Sequence, residues 1–399
     1  TWGFLSGLAS AYGEDPIPLN PDGLWAGEEV TFETEDRKYQ IIIRDTSYDP
    51  STAEEAATDL VLDENVDMLF GVLETSSTIR VIEQVSKPTD TLHITGGVSS
   101  IDVTGNTNLC GRKVFRANEN TGMEARALAK YIGEETDTES MYLLGANNSF
   151  GRSSIPLYRR ALEANGVEIA GERFVPSGFT EFRGVLENID EQAEAVGAIF
   201  GGRTIETLFT SFIRQNASGN IDLRAHGALP GVISMGLVTN ALESTFDEIT
   251  EETIQESNIG GLVSRYHWNQ YDNPINDKFV PAFEETYGTL PALFVGGAFA
   301  AGSAVAQAVE ETGSTNGDDI AEAMYGMTVE QTPKGEGGYV FQENNNQAKS
   351  PMTVANLVPN EEENWDASVM PSDPIMRVSA DEAAVPVDDP DMNCDLREG

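Results

Sequence analysis

Four hydroxyls stand in a row at Thr75, Ser76, Ser77 and Thr78, within the stretch GVLETSSTIR that directly follows the apolar run 66–70. An apolar run that ends in glycine and small polar residues predicts a buried strand turning into a helix N-terminus. Hydroxyls at such a turn either cap orphan amides or meet a ligand. Similar turns recur as GGVSS at 96–100, NNSFGRSS at 147–154 and GGRT at 201–204. Glycines there let the backbone come close to a ligand, and hydroxyls supply orientable donors and acceptors. A single turn of this kind reads as capping; four favour ligand contact.

Signatures of catalysis are missing. The sequence has no GxSxG elbow, no GxxxxGK[ST] phosphate loop, no GxGxxG and no HExxH, so neither an enzyme nor a cofactor is expected. The three histidines, His93, His226 and His267, are far apart, and His93 lies inside an apolar strand, where a satisfied core residue is the commoner reading. Cys110 and Cys394 belong to no CxxC motif or Cys/His cluster, so no metal site is expected either. By themselves they fit two buried thiols or one disulfide. The sequons at Asn147 and Asn216 are weak matches.

The elements that must position these turns alternate. Strands are expected at 40–44, 66–70, 91–95, 141–144, 167–174 and 196–200, with helices at 51–62, from the hydroxyl turn to 85, and at 121–132, 153–164, 184–189 and 204–214. Residues 1–8, TWGFLSGL, read as a further strand. Alternation of this kind means parallel sheets covered by helices, and so many elements divide more naturally into two α/β lobes than one. The uncharged run 293–309, rich in Gly and Ala, suits a closely packed buried helix better than a membrane span.

The acidic balance is extreme: 66 Asp and Glu against 24 Lys and Arg, a formal net charge of −42, with the acids spread along the chain. Self-repulsion of that size is screened at molar salt, where the Debye length falls to about 3 Å, so a hypersaline, haloarchaeal setting is expected. The same charge argues against nucleic acid or an anionic membrane surface as partner.

Taken in order, the segments TWGFLSGLASAYGED, RDTSYDPSTAEEAATDL, VDMLFGVLETSST, TLHITGGVSS, NNSFGRS, FVPSGFTEFRGVLENI and LFVGGAFAAGSAVAQAVEETGSTNGDDIAEAM resemble the type I, leucine/isoleucine/valine-type substrate-binding proteins of ABC importers. The resemblance runs from about residue 2 to 357. It implies two Rossmann-like lobes joined by three hinge crossovers, near 117–120, 257–263 and 328–332. Lobe one would hold 1–118 and 258–330, and lobe two 119–257 and 331–371, leaving 372–399 as an acidic tail. Strands at 338–341 and 352–357 would return to lobe two. Carried over residue by residue, Tyr12, Thr75, Ser76, Gly97, Val98 and Ser99 would touch the ligand from lobe one, and Phe150 and Arg203 from lobe two. The acid that holds an amino-acid ammonium in this family falls near Leu229 or Pro230 here, where no acid stands. The segment 15–30 is short and Pro-containing where the family has its first long helix.

The function implied is capture of a small polar ligand, an amino acid, amide or related carboxylate, and its delivery to the membrane subunits of an ABC importer. That places the protein at the extracellular face of the cell membrane, secreted or held by a lipid anchor upstream of Thr1. Outside the cytoplasm, Cys110 and Cys394 are expected to pair. A ligand-sensing module and a surface structural protein that keeps the fold are the alternatives, with an enzyme third. From the charge alone, the fold is expected to be lost when salt is dialysed away and regained on its return; circular-dichroism melts in low and molar salt check this, and equal stability in both would refute it.

Overall fold

The computed structural model describes residues 1–19, 27, 29–201, 203–226, 235–361 and 367–398, with the side chains at 203, 226, 235–237 and 398 excepted. Two compact units divide the chain. Unit 1 comprises Thr1–Asn120, Tyr271–Pro351 and Val385–Gly399; unit 2 comprises Thr121–Gln270 and Met352–Ala384.

Unit 1 opens on α1 (Trp2–Ala11), where the sequence reads as a strand. Its glycines explain the difference, because they let this helix lie directly on the later helix Val295–Thr312: a Cβ on Gly7 would come 1.9 Å from the Phe299 carbonyl oxygen. β1 (Glu29–Glu33) and β2 (Lys38–Ile42) form an antiparallel hairpin. α2 (Pro50–Thr58) starts at Asp49, whose side chain accepts from the Thr52 amide, with Pro50 at the first position. There follow β3 (Met68–Phe70), α3 (Thr75–Val81), continued by one wider turn through Ser86, β4 (Leu92–Thr95), α4 (Asp102–Gly105) and β5 (Val114–Arg116). The last three strands form a parallel sheet in the order β3-β4-β5.

In unit 2 the expected alternation is present. It runs α5 (Thr121–Glu135), β6 (Ser140–Ala146), α6 (Ser149–Ala164), β7 (Glu168–Val175), α7 (Arg183–Asp190), β8 (Ala195–Ile199), α8 (Arg203–Ala217) and β9 (Arg224–His226). α9 (Met235–Glu243), α10 (Glu251–Glu256), β10 (Ile259–Gly260) and β11 (Leu262–Ser264) complete this stretch. The sheet order β10-β9-β8-β6-β7 is parallel throughout. Its core includes Leu144, Phe182, Phe200, Phe209 and Phe212. A buried ion pair joins Arg265 Nε to Glu124 Oε1 at 2.7 Å. Asn216 is buried and accepts from Asn258, which leaves that sequon no room for a glycan.

The chain then returns to unit 1 with α11 (Pro274–Tyr287), α12 (Val295–Thr312), α13 (Gly317–Met324), β12 (Thr328–Val329), β13 (Tyr339–Phe341) and β14 (Ala348–Lys349). α12 is the expected closely packed helix, buried along most of its length. Last come β15 (Met352–Ala355), β16 (Leu357–Pro359), β17 (Val369–Pro371), β18 (Met376–Val378) and α14 (Ala380–Ala383) in unit 2.

The unit boundaries differ from the sequence expectation for reasons of pairing. β13 pairs with β12 and β14, and Tyr339 and Phe341 enter the unit 1 core, so the strand expected in lobe two belongs to unit 1. β10 and β11 pair with β9 and β15, which keeps residues 259–264 in unit 2. The crossovers therefore fall at 120/121, 270/271, 351/352 and 384/385, and only the first coincides with an expected hinge. Residues 385–399 join unit 1, where the expected disulfide would pin the acidic tail, but β18, within the range read as tail, pairs with β15 in unit 2.

Cys110 and Cys394 form a disulfide across 284 residues of sequence. Three backbone amides reinforce it: Asn393 donates to the Gly105 carbonyl, Leu396 to that of Asn344, and Thr107 to the Asn393 side chain. Closing so long a loop stabilises by up to about 5 kcal/mol in the chain-entropy account. Reduction is expected to lower stability by a few kcal/mol and to expose 385–399 to limited proteolysis. An unchanged cleavage pattern with reductant would show that the amide bonds alone suffice.

Candidate functional site

In unit 1, parallel register brings the carboxyl ends of β3, β4 and β5 to one edge: Phe70 is opposite Ile94, and Thr95 opposite Arg116. The turns at 71–74, 96–100 and 117–120 leave from that edge, which is where open α/β sheets take ligands. Gly71 ties the first two together. Its carbonyl accepts from the Gly96 amide at 2.8 Å and from His93 Nε2 at 2.9 Å. A carbonyl only accepts, so the Nε2 proton is fixed and Nδ1 takes the Ser86 hydroxyl at 2.9 Å. Burial lowers the His93 imidazole to about 4. It is the core histidine that the sequence implies, and it braces the site from beneath.

The four hydroxyls divide. Thr78 donates to the Glu74 carbonyl at 2.9 Å, and Ser77 is fully buried. Capping falls to Glu74, whose carboxylate accepts from the Ser77 amide at 2.7 Å. Thr75 and the half-buried Ser76 occupy the first turn of α3, nearest the sheet edge. Gly97 and Ser99 are half-buried on the neighbouring turn, whereas Val98 is fully buried with Ile82, Val103, Leu109 and Val114, so its side chain serves the core. Ser100 closes the turn by donating to Asp102 at 2.9 Å.

Phe294 is a site residue that sequence reasoning missed. A Cβ on Gly97 would meet its ring and the Leu73 methyl, each at 2.7 Å, so those two side chains form an apolar cover over the Gly97 backbone. The N-terminal end of α12 is seated by Gly297 against Asn118, whose Nδ2 donates to the Gly96 carbonyl at 3.1 Å. An aromatic residue just ahead of a Gly-rich helix was the available signal.

Tyr12 is not brought to this edge. Gly3 and Gly7 of α1 lie against Val295 and Phe299 in turn, so α1 and α12 run side by side in the same direction. Tyr12, at the far end of α1, bonds Tyr39 and Glu310 instead. That is about 15 Å along the helix from the end beside Gly97, at 1.5 Å per residue.

Within unit 2, β6 and β8 are neighbours, with Gly145 opposite Ile199. Phe150 and Arg203 therefore start adjacent exits from one sheet edge. Phe150 is half-buried in the first turn of α6, where Asn148 caps the Gly151 amide at 3.0 Å. Gly151 is required there, since a Cβ would come 2.1 Å from the Ala146 carbonyl oxygen. Arg203 is the first residue of α8, but its side chain lies outside the described residues, as do Leu229 and Pro230. Among the described residues, no three of His, Cys, Asp and Glu are grouped to hold a metal ion.

A periplasmic binding protein family model matches residues 23–362. The chain belongs to that family. Among curated proteins, the leucine-, isoleucine-, valine-, threonine- and alanine-binding protein of Pseudomonas aeruginosa is 21% identical over 299 residues, covering 75% of this chain and 74% of that protein. Solved structures of the same fold include an ABC transporter substrate-binding protein from Sphaerobacter thermophilus, with TM-score 0.72, 20% identity and coverage of 95% and 93%. A solute-binding protein from Rhodopseudomonas palustris in complex with 3,4-dihydroxybenzoic acid has TM-score 0.68, 15% identity and coverage of 85% and 86%. The two-lobed α/β class expected from the sequence is thus the fold of this family.

The His93 brace has a pH signature. Its folded value of about 4 lies below the ordinary 6.5, so as pH falls through that window the unfolded chain binds a proton that the fold refuses, and stability declines. Between pH 7 and 5, His93→Gln is expected to lose about 2 kcal/mol of the wild-type pH dependence. Urea unfolding at both pH values checks this, and His267, lowered to about 3, titrates in both proteins alike.

Proposed function

We propose that this family member is an extracytoplasmic solute-binding protein that captures a small carboxylate with an apolar body and delivers it to an ABC importer, without catalysing a reaction. The observation that carries the ligand class is the pairing, on one edge of unit 1, of a hydroxyl turn with an apolar cover. Thr75, Ser76 and Ser99 offer hydroxyls and backbone amides for an oxygen anion, while Phe294 and Leu73 offer a wall for hydrocarbon. From unit 2, Phe150 adds a second aromatic face and Arg203 a cation. Of the ligands named for the relatives, leucine, isoleucine, valine and 3,4-dihydroxybenzoic acid share this division between carboxylate and apolar body. With no acid near Leu229 or Pro230 to hold an ammonium, a carboxylate lacking the α-amino group is favoured. No helix among the described residues is long and apolar enough to cross a membrane.

Calorimetry at fixed molar salt with leucine, benzoate and 3,4-dihydroxybenzoate, beside mass spectrometry of ligand carried through native purification, tests the reading. An aromatic carboxylate is expected to bind more tightly than leucine, and Arg203→Ala to weaken it by about 2–5 kcal/mol, as for one half of a buried charge pair. A neutral or cationic ligand recovered from the native protein would overturn it. Unchanged affinity in Arg203→Ala beside a large loss in Thr75→Val would leave the hydroxyl turn and remove Arg203.

A further inference from the structure

The chain passes between its units four times, at 120/121, 270/271, 351/352 and 384/385, and the unit 1 ends of the first three passages meet at one side chain. Lys334 Nζ is 2.6 Å from Glu119 Oε1, just ahead of the first passage. It donates to the Ser350 hydroxyl at 3.0 Å and to the Pro351 carbonyl at 2.6 Å, at the third. It also stands 5.4 Å from the ring centroid of Tyr271, which opens the second, and 5.0 Å from that of Tyr339. Ser350 donates to Glu119 Oε1 at 2.5 Å, so the first and third passages are joined directly as well. Both members of the ion pair are 0% exposed.

Local structure does not require a buried ammonium at this point. The turn 332–335 closes through the Thr332 hydroxyl and the Gly335 amide and carbonyl, without the lysine side chain. Removing two charges from water is costly, and a buried pair is often no more stabilising than apolar residues of equal volume, so its use calls for a role other than stability.

A second set of bonds leads from the same place to the candidate site. Gln347 Nε2 donates to the Asn118 carbonyl at 2.9 Å, and its Oε1 accepts from Arg116, Thr104 and Asn120. Arg116 in turn donates to the Ser100 carbonyl, and Asn118 to that of Gly96. Both ends of the turn that carries Gly97 and Ser99 are therefore bonded to the stretch 116–120, which leads into the first passage.

We propose that Lys334 is a positioning residue of the hinge: its ammonium holds the first three crossovers as one unit, so that a displacement of the 96–100 turn reaches all of them together through Asn118 and Glu119. The purpose of such a device rests on the solute-binding reading above, but its test needs no ligand. Spin labels at Glu83→Cys in unit 1 and Glu163→Cys in unit 2, both exposed, report the distance between units, the native cysteines being paired. In Glu119→Gln/Lys334→Met, which removes both charges and avoids an unpaired one, the distance distribution of the ligand-free protein is expected to broaden or shift. Hydrogen exchange is expected to rise at 118–120, 271–272 and 350–351 together. Should that double variant not fold, Ser350→Ala keeps the ion pair, cuts one link between the first and third passages, and is expected to give the same change in smaller degree. A wild-type distance distribution and wild-type exchange at these three passages in the folded variant would overturn the proposal, leaving the pair a matter of packing. Failure to bind any carboxylate, by contrast, would bear on the ligand and leave this result standing.

Discussion

The buried ammonium of Lys334 answers a constraint that the rest of the architecture imposes. A chain that crosses four times between two units must run irregular backbone through buried positions, and polar groups there cannot be left to water. Residues 117–120 are all buried and form neither helix nor strand. Gln347 donates to the Asn118 carbonyl, Arg116 to that of Ser100 and Lys334 to that of Pro351, and the carboxylate of Glu119 supplies the countercharge. In unit 2, Glu124 and Arg265 make the corresponding buried pair within a few residues of the first two crossovers. Charge is therefore concentrated where the chain passes between units, inside a protein whose surface is otherwise overwhelmingly acidic.

The candidate site follows from a different economy. It is built almost wholly from small residues and backbone at the edge of the β3-β4-β5 sheet, with the large groups arriving from elsewhere in the chain. Parallel register sets the positions of the turns, Gly71 couples two of them, and His93 fixes the coupling from the core side. Glu74 is the notable member. Its carboxylate already caps the Ser77 amide, so the α3 terminus carries an internal anion.

Surface ion pairs are many in this structure, among them Arg80 with Glu54 and Lys113 with Asp90 and Asp318. Exposed pairs of this kind contribute little each. With 66 acids and 24 bases, one-to-one pairing leaves an excess of 42 negative charges, a repulsion that salt screens.

From sequence alone, most of the alternation of elements between residues 40 and 217 was legible, because those strands and helices carry their own periodicity, whereas the short α4 and β5 were missed. The hydroxyl and glycine turns were legible for the same reason, being local. What needed the tertiary structure was every feature that depends on distant partners. TWGFLSGL has the apolar content of a strand and becomes a helix because Gly3 and Gly7 fit against a segment nearly three hundred residues away. Tyr12 was matched by its place in a motif, but the direction of α1 carries it to Glu310. Residues 331–351 join unit 1 through strand pairing that composition does not reveal, whereas the disulfide that ties 385–399 to it was expected from the sequence. Phe294 over Gly97, and Lys334 at the first three crossovers, are juxtapositions of the same kind. Local pattern determines which elements form; long-range packing decides which residues meet, because the free energy of those contacts exists only once the chain has closed upon itself.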